Sequence, residues 1–151
     1  MIAYIDCFSG ISGDMTLGAM AGLGVPAAWI SEEVARLPLA GFRIETDTVV
    51  RGGVQGHRIR VALDEDQPHR DYRTIRDLIT ASALSDPVKK LAGDIFHRLA
   101  TAEAAVHGCP LETVHFHEVG GVDAIVDIVG TALCVDRLGI RAVHANIPTV
   151  G

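Results

Sequence analysis

Apolar residues recur along the chain in two periods, and the alternation of those periods predicts its elements. Ile2 to Asp6 is a short apolar run of strand length that opens into small residues, Cys7-Phe8-Ser9-Gly10-Ile11-Ser12-Gly13-Asp14. Met15 to Leu23 reads as a helix ended by Gly24-Val25-Pro26, and Ala27 to Leu37 as a second one stopped by Pro38. From Phe42 to Val50, and again from His57 to Leu63, the period shortens to two. Ile59, Val61 and Leu63 then share a face, with Arg58 and Arg60 opposite. Gly52-Gly53 and Gly56 lie between the runs, which predicts a hairpin with a loose loop. Asp64 to Asp71 is a polar connection containing Pro68 and His69.

The helical period then returns. Tyr72, Ile75 and Ile79 mark a short helix. Val88, Leu91, Ile95, Leu99, Ala102 and Val106 mark a longer one, with Asp86 as its cap, Pro87 at its first position and Gly108 at its end. Val122 to Leu138 is a helix apolar nearly all round, which predicts burial. Ala142 to Val150 reads as a last strand. Strand, helix, strand in that order predicts a crossover and parallel pairing. The expectation is an α/β fold: one domain over residues 1–151, with a small mixed sheet of about four strands flanked by helices.

Composition narrows the function. The net charge of −6 lacks the basic footprint of a nucleic-acid binder. Cys7, Cys109 and Cys134 form no Cys-x-x-Cys pair, so zinc-ribbon and thioredoxin chemistry are excluded. Free thiols and the absence of a basic, apolar leader point to the cytoplasm. The longest apolar run, Ala124 to Val135, is broken by Asp127 and too short for a bilayer, so no membrane partner is expected. The chain ends in strand-like residues, Pro148-Thr149-Val150-Gly151, which reads as a fragment boundary.

The densest chemistry lies between His115 and Asp127, in His115-Phe116-His117-Glu118-Val119-Gly120-Gly121-Val122-Asp123-Ala124-Ile125-Val126-Asp127. In an extended segment His115 and His117 point the same way. On a helix Asp123 and Asp127 share a face. Imidazole and carboxylate donors converging among apolar residues suit a divalent metal. The competing reading makes the histidines core or rim residues and Asp123 a helix cap. Asp127 resists that reading, because a carboxylate on an apolar helix needs a cation or a strong hydrogen-bond partner. It is a candidate for orienting a ligand as well as for ligation.

Two further segments qualify. Ser9, Gly10, Ser12 and Gly13 offer backbone N–H groups and hydroxyls before a helix, a ready anion site, with neither the Walker lysine nor a dinucleotide-binding glycine pattern. Asp6 and Asp14 flank that loop, so a phosphate there would need a Mg²⁺-like ion beside it. A tight glycine turn with Asp14 as helix cap explains the same residues. His69-Arg70-Asp71-Tyr72-Arg73 combines a histidine with two arginines, and reads either as a phosphate contact or as a solvated helix start. His97, His107 and His144 read as surface or core positions.

Tyr4-Ile5-Asp6-Cys7-Phe8-Ser9-Gly10-Ile11-Ser12-Gly13-Asp14-Met15, and the stretch from His115 through Gly130, strongly resemble the LarC family of nickel insertases, as does His69-Arg70-Asp71-Tyr72. The resemblance covers essentially the whole chain. It implies a chelatase of the lyase class that inserts Ni²⁺ into a pyridinium-3,5-bisthiocarboxylic acid mononucleotide to form the nickel-pincer nucleotide. In the family this is accompanied by CTP hydrolysis and needs Mg²⁺ or Mn²⁺. Taken with the residue reading above, it points to His115, His117 and Glu118 as transient holders of nickel, within a candidate metal set that also includes Asp123 and Asp127, not all five being direct ligands. Catalytic roles fall to Asp6, Asp14 and Glu118, and substrate or nucleotide contacts to Ser9, Gly10, Ser12, Gly13 and His69. Family members are longer, with a glycine-rich continuation and a C-terminal region associated with CTP, so a missing C-terminal region is an expected partner. Two other classes remain open on the residues alone. One is a Mg²⁺-dependent phosphohydrolase or nucleotidyl transferase. The other is a non-catalytic metal-binding module of a larger assembly.

Overall fold

The computed structural model describes residues 1–8, 10–64, 68–116 and 119–147. Strand β1 (Ile2–Ile5) leads into helix α1 (Gly13–Gly22) and helix α2 (Ala27–Val34). The hairpin β2 (Phe42–Arg51) and β3 (Val54–Leu63) follows, then α3 (Tyr72–Ala81) and α4 (Asp86–His107). A 3₁₀ turn, Leu111–Thr113, precedes α5 (Val122–Arg137) and β4 (Ala142–Ala145). The Pro148-Val150 end of the expected last strand lies outside the described residues.

Local chemistry explains the boundaries. Asp71 caps α3 by accepting a hydrogen bond from Thr74 N–H at 2.8 Å, an exchange that satisfies an otherwise orphaned donor. Ser85, not Asp86, holds the cap position of α4; Asp86 is already helical, beside a proline in the first turn. The same helix ends where Gly108 adopts φ +62°, the left-handed conformation that glycine accepts without strain. The hairpin loop is tight rather than loose. Gly52 and Gly53 take φ +56° and +79°, so two residues suffice for the turn, and Gly56 lies inside β3 opposite Val49.

The α/β expectation holds, with the four strands divided between two sheets. β1 and β4 pair in parallel, from Ile2 opposite Ala142 to Ile5 opposite Ala145. β2 and β3 pair antiparallel, from Phe42 opposite Leu63 to Arg51 opposite Val54. The hairpin stays apart because it lays a face on α1 instead of offering an edge to β1. Ile59 is fully buried there, and α1 and β3 are in extensive contact.

Helix α5 runs through the centre, against α1, α2 and α4. Its Val122, Ile125, Val126, Val129, Ala132, Leu133 and Cys134 are buried, as its all-round apolar sequence requires. Gly130 lets Leu17 of α1 approach closely. The segment before α5 is held down by alternation: Val114 and Phe116 are buried, and Phe116 tilts against Phe96 of α4 with ring centroids 6.2 Å apart. His115 between them points outward. Among the described residues, no helix is long and apolar enough to cross a membrane.

Candidate functional site

The start of α1 and the first turns of α5 meet in an open pocket of about 250 Å³, lined by Ser12, Gly13, Asp14, Arg60, Val61, Asp123 and Asp127. Two acidic groups more than a hundred residues apart in sequence thus come together. Gly13 makes the approach possible: a Cβ at that position would collide with the Asp127 carboxylate. Asp123 and Asp127 lie one turn apart on α5, both turned to the pocket. Asp123 does not cap the helix; the cap position is Gly121, with no side-chain bond. Asp14 is exposed; its Oδ1 accepts from Ser12 Oγ and, at 2.8 Å, from Met15 N–H.

Asp127 differs from its neighbours. Its Oδ1 is buried, and among the described residues it is the buried side-chain oxygen or nitrogen that lacks a hydrogen-bond partner. Burial, and then the negative charges of Asp14 and Asp123, push its pKa up to about 7. Near neutral pH the carboxyl is therefore shared between its protonated and ionised forms. A cation in the pocket would favour the ionised form and bring the value down. Arg60 lines the pocket, but its guanidinium is engaged by Glu45 of β2. The wall is thus carboxylate and hydroxyl oxygen with a diverted arginine, a donor set suited to a divalent cation. Among the described residues, no three His, Cys, Asp or Glu side chains are gathered closely enough to hold a metal ion. The pocket offers carboxylates around a space rather than a closed cage.

The remaining candidates fall into other places. His115 does not line this pocket; it bridges to Asp71. Around that bridge, Tyr72 N–H donates to Val114 C=O at 3.0 Å and Arg70 N–H to Gly120 C=O at 3.1 Å. A Cβ on Gly120 would come to 2.7 Å from Arg70 O, so this seam also depends on a glycine. The segment carrying His69, which is itself exposed, is thereby stitched to the His115 segment. Hydrogen bonds from Thr74, helped by the nearby positive potential of His115 and Arg73, hold the Asp71 carboxyl below its usual range. Asp6 is exposed at the end of β1, where its Oδ1 accepts from Asn146 Nδ2 at 2.9 Å while Cys7 N–H donates to Asn146 Oδ1 at 2.6 Å. That clasp fastens the ends of β1 and β4, away from the carboxylate pocket. Gly10, at φ +86°, closes a turn onto Cys7 O at 3.0 Å. Ser9, His117 and Glu118 lie outside the described residues.

Sequence reasoning missed Arg60, the Asp71–His115 contact and the fit of Gly13 against Asp127. Arg60 carried only the alternation of a strand. The other two arise from pairs far apart along the chain, for which a single sequence holds no signal.

Comparison with known proteins bears on this arrangement. The sequence profile of the family described as "Nickel insertion protein" matches residues 3–151. A protein of Geobacter sp. (strain M21), provisionally named as a nickel insertion protein, is 56% identical over 146 residues, which is 96% of this chain and 38% of the relative. One of Thermomicrobium roseum, under the same provisional name, is 49% identical, over 94% of this chain and 35% of the relative. The "Pyridinium-3,5-bisthiocarboxylic acid mononucleotide nickel insertion protein" of Geobacillus kaustophilus is 46% identical, over 97% of this chain and 38% of the relative. The chain thus spans well under half the length of these curated relatives. No solved structure matches it.

Proposed function

Because this chain belongs to the nickel insertion protein family, we propose that it is the metal-handling domain of a nickel chelatase, with Ni²⁺ as cargo. The acceptor on this reading is a pyridinium-3,5-bisthiocarboxylic acid mononucleotide, the compound in the name of the Geobacillus kaustophilus relative. Residues 1–151 act as one α/β domain, corresponding to the N-terminal part of the longer family members. The complete reaction, its coupling to CTP hydrolysis and its Mg²⁺ or Mn²⁺ requirement belong to the longer protein, in the cytoplasm.

The observation that supports this most is the Asp127 carboxylate, with a buried and unpartnered oxygen in a pocket shared with Asp14 and Asp123. A buried acceptor without a partner is expensive, and a cation relieves it. An open carboxylate wall also suits a metal that has to leave. Oxygen donors bind Ni²⁺ without the grip of thiolates, and the two sulfur groups of the acceptor are softer ligands that draw it away. On this reading the segment of His115, His117 and Glu118 supplies nitrogen and further oxygen donors in the assembled protein, where it closes on Asp123 and Asp127; in this chain His115 stands outside their pocket. Ser12 and Gly13 face the mononucleotide phosphate, with Asp14 reaching it through a bridging Mg²⁺ or Mn²⁺, and His69 is a further anion contact on this reading.

The carboxylate and hydroxyl oxygens of the pocket also support a second reading, in which Asp14, Asp123 and Asp127 hold Mg²⁺ or Mn²⁺ against a phosphate and the histidines alone carry nickel. Calorimetric titration with Ni²⁺ and with Mn²⁺ separates the two. Comparison of the native chain, Asp127→Asn and His115→Ala/His117→Ala is decisive. Loss of Ni²⁺ binding in both variants supports one nickel site. Loss of Mn²⁺ binding alone in Asp127→Asn supports the divided arrangement. Full Ni²⁺ binding in both variants would sink the assignment of nickel to these residues.

A further inference from the structure

Helix α1, Gly13–Gly22, is apolar on every side apart from Asp14 and Thr16. A helix of that kind belongs in an interior, yet only one of its sides is covered. Leu17, Gly18 and Met20 are buried against α5 and β3. Met15, Ala19 and Leu23, at successive turns, form a stripe that faces outward, with Met15 52% and Leu23 63% exposed. Strand β1 runs beside this stripe. The two bound a groove of about 240 Å³, floored by Ala3 to Asp6 on one side and by Met15, Ala19 and Leu23 on the other.

The strand is as bare as the helix. β1 has β4 on one edge and, among the described residues, no partner on the other. Parallel pairs are found with both faces covered and within larger sheets, and a two-stranded sheet alone is marginal in water. Here Ile2 is 69%, Tyr4 67% and Val143 52% exposed. An open apolar edge is a template for another strand, and an apolar patch of this kind marks an interaction surface.

We propose that the groove between the open edge of β1 and the outer stripe of α1 receives a β-strand from the part of the longer family members that lies outside this chain. The match covers only 38% of the Geobacter sp. relative, so there is ample sequence to supply the strand. The incoming strand pairs with β1 through its backbone and places apolar side chains against Met15, Ala19 and Leu23, turning a two-stranded sheet into the core of a larger one. Since α1 begins at Gly13, beside Asp127, the same docking fixes the helix that forms one wall of the carboxylate pocket. The proposal stands on the exposed surface alone and does not depend on which metal the pocket takes.

Hydrogen exchange on this chain and on the full-length Geobacter sp. relative tests it. The β1 amides that β4 does not engage are expected to exchange freely in this chain and to be protected at least ~100-fold in the relative. Ala19→Glu gives a second readout. Ala19 is exposed, so the substitution is expected to leave the Tm of this chain within about 2 °C, while the same change at the aligned position lowers the Tm of the relative by about 5 °C or more. Equal exchange at β1 in both proteins would overturn the proposal. So would sedimentation of this chain as a dimer with its β1 amides protected, which would give the groove to a second copy.

Discussion

Helix α1 is crossed at close range in two places, and both crossings need a glycine. At Gly18 the neighbour is backbone: a Cβ there would collide with the His57 carbonyl of β3. At Gly13 the neighbour is a side chain, the carboxylate of Asp127. The Gly18 crossing is closed and apolar around Leu17 and Ile59, both fully buried. The Gly13 crossing opens onto a pocket lined by three carboxylates and leaves one buried oxygen without a partner among the described residues. The same device, a missing Cβ, serves packing in one place and brings like charges together in the other. Packing has no use for that repulsion, whereas a cation site has.

The difference between the two crossings can be measured by substitution. Gly18→Ala is expected to have the largest effect, a loss of about 3 kcal/mol or more, because β3 backbone cannot yield without moving the hairpin off α1. Urea unfolding measures it, with cation affinity of the folded fraction unchanged. Gly13→Ala is expected to cost about 2 kcal/mol, since a side chain yields more readily than backbone. It should also displace the Asp127 carboxylate and weaken Ni²⁺ or Mn²⁺ binding at least ~10-fold by calorimetry. A structural role alone for Gly13 would leave affinity intact.

Asp127→Asn is expected to act in the opposite direction on stability. The folded carboxyl has its pKa raised to about 7 from an ordinary 3.8, so the folded state holds the proton more tightly than the unfolded chain does. The native protein therefore gains stability from this group below about pH 4 and loses it as pH rises from about 4 to 7. The asparagine variant lacks that loss. At pH 8 it is expected to be more stable than the native chain by about 1–2 kcal/mol, allowing for the partial exposure of the group, with no such difference at pH 3. Thermal unfolding across that range checks the sign. The smallest effects are expected from Asp14→Asn and Asp123→Asn. Each removes one of the charges that raise the Asp127 value, so its titration followed by NMR should move down from about 7, with stability changed by less than about 0.5 kcal/mol.

The extent to which the chain could be read in advance follows from how local each feature is. The helices at Tyr72–Ala81, Asp86–His107 and Val122–Arg137 are announced by periodicity and by Pro87 and Gly108, within a few residues of their bounds. The tightness of the hairpin turn was misjudged because Gly56 resembles loop sequence, whereas Gly52 and Gly53 already supply both positive-φ positions. The attention drawn to Asp127 came from its apolar neighbours in sequence; in the fold its Oδ1 is buried and, among the described residues, without a hydrogen-bond partner.

What the sequence could not contain is which distant groups meet. It grouped His115 with Asp123 and Asp127 because they are close along the chain. The fold pairs the backbone of His115 with that of Asp71, outside the pocket, and brings Asp14 to the two aspartates. It paired Asp6 with Asp14 across one loop, whereas Asn146 claims Asp6 from the far end of the chain. Secondary structure and family membership were legible in local sequence patterns. The carboxylate pocket, the diverted Arg60 and the bare groove beside β1 come from long-range packing. Helix axes and strand edges meet there only where side-chain volume, and at Gly13 and Gly18 its absence, allows.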